Sequence, residues 1–184
     1  MPITTHTLIC LFPIAFMLHD FEEIILSAPW QRKYAREIKE RLQGKVPSFL
    51  AKQIGLVLDK PTGELTTSIS LIFALACLSA FLAVEYQAYG LLIFASGMFF
   101  LHGFMHLGQA ILLRKYIPAV ISSALIVIPY GLILYNRIIQ EGKIDLPEML
   151  IYSLLAVILT IPFILVMHKA GGILYKAAVR LLIG

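Results

Sequence analysis

Residues 5–26 read THTLICLFPIAFMLHDFEEIIL, an apolar run that admits His19, Asp20, Glu22 and Glu23 shortly before its end. If the run stopped at Leu18, the 16 residues from Ile3 would be short for a membrane span, which needs about 20. Ile24, Ile25 and Leu26 then resume the apolar character, so the stretch reads as one helix carrying its ionisable groups inside it. With His19 set at zero and about 100° per residue, Glu23 falls near 40°, Glu22 near −60° and Asp20 at the flank near 100°. His19, Glu22 and Glu23 therefore share a face. A charged group at the centre of a bilayer costs about 2.5–3.5 kcal/mol or more, so such groups point into a bundle and take a partner. Carboxylate oxygen beside imidazole nitrogen is the ligand set of a divalent metal.

The rest of the chain supplies the bundle. Of 184 residues 59% are hydrophobic and only 14% charged, and the mean hydropathy is +0.86. Soluble domains carry about a quarter charged residues. Further apolar runs over residues 65–84, 88–113, 117–135 and 146–167 are each long enough to cross a hydrocarbon layer of about 30 Å. The expected fold is all-α: one polytopic membrane domain over residues 1–184, a helix bundle of about five transmembrane helices. The first run lacks the basic start and cleavage site of a signal peptide and is expected to be retained. Pro29 is expected to stop the first helix, with Trp30 at the interface. Over residues 30–60, Trp30, Tyr34, Ile38 and Leu42 recur every four residues among Arg and Lys, the pattern of a cytoplasmic amphipathic helix lying on the membrane surface. Pro47 should break it, leaving residues 49–58 as a second interfacial piece, and the tail from His168 reads as amphipathic and basic. His6 and His168 are expected at the interfaces, and Glu85, Glu141, Asp145 and Glu148 in solvated loops. Cys10 and Cys77 lie in apolar runs, which indicates neither a disulfide framework nor a thiolate metal site.

Charge sets the orientation. Of the 15 Lys and Arg residues, all but Arg137 and Lys143 fall in the loop of residues 32–60, at the exit of the third run or in the tail. With five spans this places the N-terminus outside and the C-terminus in the cytoplasm. The net charge of +4 is thus a topology signal that also favours anionic lipid headgroups. Nucleic acid is not an expected partner.

The third run carries a second constellation. With His102 at zero, His106 lies near 40° and Gln109 near −20°, so all three line one face. An i, i+4 histidine pair lets two imidazoles on one helix bind one ion. Gly97, Gly103 and Gly108 lie on other faces, where they permit close helix contact. In the inward-running first and third runs, His19 and His106 each precede the cytoplasmic end by about seven residues, roughly 10 Å. Two histidine clusters at one depth can meet.

The stretch His19-Asp20-Phe21-Glu22-Glu23 resembles the naming motif of the HXXEE family of small bacterial integral membrane proteins. That family has a later N-x-x-x-H motif, matched here by His102 to His106, and an R-x-Y-x-P-G-like stretch, matched by Arg114, Tyr116, Pro118 and Ala119. His102 stands where the family has Asn, and Ala119 where it has Gly. The resemblance implies a bacterial cytoplasmic membrane location and an enzymatic site without a settled reaction. A second similarity is to intramembrane glutamate proteases of the CAAX-processing type, whose E-E-x-x-x-R pattern departs here at Ser27.

The expected function is a membrane-embedded, metal-dependent hydrolase or transferase acting on a lipid or lipid-linked substrate from the cytoplasmic leaflet. Zinc is the expected metal, with iron as the other candidate. His19, His106, His102 and one of Glu22 or Glu23 are the candidate ligands, and His102 is alternatively a hydrogen-bond donor to the reacting oxygen. The other glutamate is the candidate general base on metal-activated water, with Asp20 and Gln109 orienting the ligands. Two other readings use the same cluster: a proton- or metal-ion carrier or channel, which an oligomer would favour, and a haem b protein with His19 and His106 as axial ligands.

Overall fold

The computed structural model describes residues 3–42, 44–45 and 58–183. Five helices make up these residues, with no strand among them: α1 Thr5–Leu42, α2 Thr62–Tyr86, α3 Tyr89–Leu113, α4 Val120–Gln140 and α5 Leu146–Leu182. The all-α bundle expected from the apolar runs is the fold. Of the second interfacial piece expected over residues 49–58, all but Leu58 lies outside the described residues.

Four of the helices, α2 to α5, are long and apolar enough to cross a membrane. Helix α1 is not, because His19, Asp20, Glu22 and Glu23 dilute its apolar run. Its apolar face is nonetheless the centre of the bundle. Leu8, Ile9, Phe12, Ala15 and Phe16 are all buried. The Phe12 ring meets Phe99 at 5.9 Å and Tyr130 at 6.2 Å, so α1 packs on α3 and α4 through aromatic contacts. Helix α2 packs against α1 and α5, and α3 packs against α5 and α2. Most leucines and isoleucines of α5 from Leu146 to Leu182 lie exposed, an apolar surface of the kind that faces lipid.

Two expected boundaries are corrected. Helix α1 does not stop at Pro29 but continues for 38 residues through both Pro13 and Pro29. A proline inside a helix removes one hydrogen bond and crowds the carbonyl four residues earlier. Here, tertiary contacts hold the segment beyond it in line. Trp30 Nε1 donates to the Tyr116 carbonyl at 2.6 Å, Arg41 donates to the Leu113 carbonyl at 3.3 Å, and Lys115 pairs with Glu37 at 3.2 Å. The stripe read as a separate surface helix is in its described part a seam against the α3–α4 turn: Ile38 is buried, and Lys115 sits 4.7 Å over the Tyr34 ring. Helix α5 likewise runs past Met167 to Leu182, because Gly171 and Gly172 serve close packing on α2 rather than termination.

Of the three glycines expected at helix contacts, two are. A methyl group at Gly103 would come within 2.8 Å of Val127, and one at Gly97 within 3.1 Å of Ala156 and Tyr135. Gly108 faces open space. Helix α4 opens with an irregular stretch: Ala119 adopts φ 68°, and residues Ser123–Val127 form a π-helical turn. Left-handed backbone costs a non-glycine residue about 1–2 kcal/mol, which explains a glycine at this place in the related motif.

Candidate metal centre

The site is assembled by α1, α3 and the start of α4. Glu23 sits one helical turn beyond His19, so both reach the same side of α1. His102 and His106 stand one above the other on α3. The three imidazoles pack edge to face, with centroids 5.6 Å apart for His19 and His102, 5.2 Å for His19 and His106, and 4.4 Å for His102 and His106. His102 Nε2 and His106 Nε2 are 2.9 Å apart, and Glu23 Oε2 lies 3.8 Å and 3.9 Å from them. One ligand atom from each of His19, Glu23, His102 and His106 can be chosen so that all lie within 4.8 Å of one another. A tetrahedral zinc with bonds of about 2.0–2.1 Å holds its ligand atoms about 3.3 Å apart, so adjustments of about 1 Å would close the set on an ion.

Hydrogen bonding presents His19 as a ligand. Ser122 Oγ lies 3.2 Å from His19 Nδ1 and 3.2 Å from the Ala119 carbonyl, which can only accept. The hydroxyl proton goes to that carbonyl, so Nδ1–H donates to Ser122 and Nε2 keeps its lone pair. His19 is fully buried, and Nε2 has no hydrogen-bond partner. Nδ1 of His102 and of His106 are likewise buried without partners. A buried polar atom left unmade costs about 1–3 kcal/mol. An ion in the cluster would satisfy the orphaned His19 Nε2, whereas the Nδ1 atoms of His102 and His106 lie across their rings from the Nε2 atoms that face Glu23. The close edge-to-face packing leaves no room for a haem plane between His19 and His106.

Glu22 is not in this cluster. Its Oε1 accepts from Tyr116 Oη at 2.6 Å and Ile121 N at 3.3 Å, and its Oε2 accepts from Ser122 N at 2.7 Å. It caps the first turn of α4, whose backbone N–H groups have no partner within the helix. The 100° between Glu22 and Glu23 sends them to different neighbours, so the ligand and base roles expected of Glu22 are corrected. Gln109 is also corrected: it is exposed, one turn beyond His106. Asp20 is buried at 4% exposure, with Oδ2 unpaired.

A cavity of about 70 Å³ adjoins the cluster, with apolar walls that include Phe12, Phe16, Ile69 and Phe163. Its polar lining is Asp20, Glu23, His102 and His168. His168 was expected at an interface and instead faces this cavity, half-buried, as a polar residue on α5. Sequence reasoning also missed Ser122 and the Tyr116 bond to Glu22. Tyr116 had a signal, since it belongs to the stretch that follows the histidine motif. Ser122 had none. His6 is exposed and takes no part in the cluster.

A family model described as a protein of unknown function with HXXEE motif matches residues 10–134, and the chain belongs to that family. No curated protein and no solved structure matches. The matched stretch contains His19, Glu23, His102 and His106 and ends before α5, so His168 lies beyond it.

Proposed function

We propose that this HXXEE-family chain is a membrane-embedded, metal-dependent hydrolase or transferase whose cavity takes a lipid or lipid-linked substrate from the cytoplasmic leaflet. The observation that carries the reading is the convergence of three imidazoles and one carboxylate, within 4.8 Å, beside an otherwise apolar cavity. His19, His102, His106 and Glu23 would hold the ion, and their nitrogen-rich set suits zinc first and iron second. Zinc in such a set would supply a Lewis acid, and a water acidified toward pKa ~7 where it takes a fifth coordination position beside the four residues. Ser122 orients His19, and Glu22 holds the α4 start that carries Ser122. With Glu22 committed to that cap, Asp20 takes the proposed role of general base, since its free oxygen belongs to a carboxyl group that lines the cavity. Phe12, Phe16 and Phe163 exclude water and accept the apolar chain. The basic loop and tail favour the orientation with the N-terminus outside and the site toward the cytoplasm.

A carrier would need polar steps across the bundle. The hydroxyls of Ser68, Ser79, Ser96 and Thr160 instead donate to carbonyls of their own helices. This favours the enzyme. The test is elemental analysis of detergent-purified protein with a chelator-sensitive turnover assay on membrane lipid extract. The expected result is about one equivalent of zinc or iron, lost in His19→Ala and His106→Ala. Equal metal content in wild type and both variants would overturn the reading.

A further inference from the structure

Lys60 and His168 form a second polar arrangement that the proposed metal set does not use. Lys60 Nζ lies 3.0 Å from Ser68 Oγ, 3.1 Å from the His168 carbonyl and 2.5 Å from His168 Nδ1. Burial lowers the Lys60 ammonium to about 8, so its three protons are present at neutral pH. Each proton meets one acceptor. The Ser68 hydroxyl already donates to the Glu64 carbonyl and can only accept from Lys60. An ammonium has no lone pair, so His168 Nδ1 must also accept. The ring's remaining hydrogen then sits on Nε2, and the ring lines the cavity together with Asp20, Glu23 and His102.

The helix contact that allows this is built for it. A methyl group at Gly171 would lie 2.5 Å from the Ser68 backbone nitrogen and 2.6 Å from its Cα, and one at Gly172 would lie 2.8 Å from Glu64 Oε2. Only glycine lets α5 come close enough to α2 for Lys60 to span Ser68 and His168. All three protons of Lys60 are taken by these acceptors, and the acidic groups lining the cavity are the carboxyls of Asp20 and Glu23. In the chelator-treated protein an anionic phosphate would meet those carboxyls with no proton of Lys60 left to donate to it. A neutral carbonyl oxygen would need only a donor.

We propose that Lys60 locks His168 as the neutral, Nε2-protonated imidazole, and that His168 binds the uncharged acyl carbonyl of the substrate by donating this hydrogen. The inference deepens the proposed lipid-processing reading by naming an acyl ester, thioester or amide rather than a phosphate ester. It rests on that reading for the lipid but not for the metal, and the experiment therefore uses chelator-treated protein.

Full-length protein labelled with ¹⁵N-histidine in phosphatidylcholine nanodiscs gives the tautomer directly, with His168→Gln assigning the signal. The expected spectrum has an unprotonated Nδ1 and a protonated Nε2 on His168, a pattern that Lys60→Met converts to a tautomer mixture. Binding is read with myristamide, which ends an apolar chain in a neutral carbonyl, and with myristyl phosphate. Myristamide should bind at least about tenfold more tightly than the phosphate. His168→Leu should weaken myristamide by about threefold to tenfold, the value of one net hydrogen bond, and His168→Gln, which keeps a donor, should restore most of it. An Nδ1-protonated or cationic His168, equal or tighter binding of myristyl phosphate, or myristamide affinity unchanged in His168→Leu would overturn the proposal. Loss of metal from the untreated protein would bear on the proposed catalytic centre alone.

Discussion

Glu22 accepts three hydrogen bonds at the start of α4, and Glu23, one residue on, lies within 4 Å of two imidazole nitrogens. Their substitutions should therefore fail in different ways. Glu22→Gln keeps an acceptor but loses the charge; it is expected to lower stability by about 1–2 kcal/mol in a thermal unfolding assay while metal stoichiometry is unchanged. Glu23→Gln should weaken metal binding by at least about 100-fold in a competitive chelator titration, with little effect on unfolding of the metal-free protein. Reversal of these two phenotypes would contradict the assignment. Ser122→Ala removes the group that orients His19, and the same titration should show a loss of about 10–100-fold. Helical angles made the pairing of His19 with Glu23, and of His102 with His106, legible. They could not separate Glu22 from the face, because a spread of about 100° between it and Glu23 looks like one face until the neighbours are known. The neighbour was Tyr116, far away in sequence.

At the scale of the element, α1 joins the site to the basic face. Pro29 reads locally as a stop, and local reasoning had no access to the Trp30, Glu37 and Arg41 contacts that brace the helix beyond it. The continuous helix makes a distance prediction. Spin labels at exposed Leu18 and Glu40 should lie about 33 Å apart, at 1.5 Å per residue. A break at Pro29 with the second half lying on the membrane would bring them to about 23 Å, by the same rise. Pulsed electron–electron resonance separates the two. The helix of the fifth run also continues past Met167 into the tail read as amphipathic and basic, where Gly171 and Gly172 admit the close approach of Ser68 and Glu64.

For the whole molecule, composition and apolar run length fixed the fold class because crossing hydrocarbon leaves the backbone few options. Four runs were long and clean enough to be recognised as spanning helices, though not always to their ends, whereas α1 carries His19, Asp20, Glu22 and Glu23 and is correspondingly less apolar. The cavity and the place of His168 were not legible, since both depend on how α5 lies against α2 and α3. The proposed orientation predicts that single cysteines at residues 141–143 react with an impermeant maleimide in intact cells, and that one at residue 45 reacts only after permeabilisation; the opposite pattern would invert the topology. The central claim is that one ion unites α1 and α3, and X-ray absorption of the zinc-loaded protein tests it most directly. The expected shell is three nitrogens from His19, His102 and His106 with one or two oxygens, from Glu23 and a water, at about 2.0–2.2 Å, losing nitrogen in His106→Ala. A sulfur scatterer near 2.3 Å, a shell of oxygen alone, or a spectrum identical in His106→Ala would contradict it.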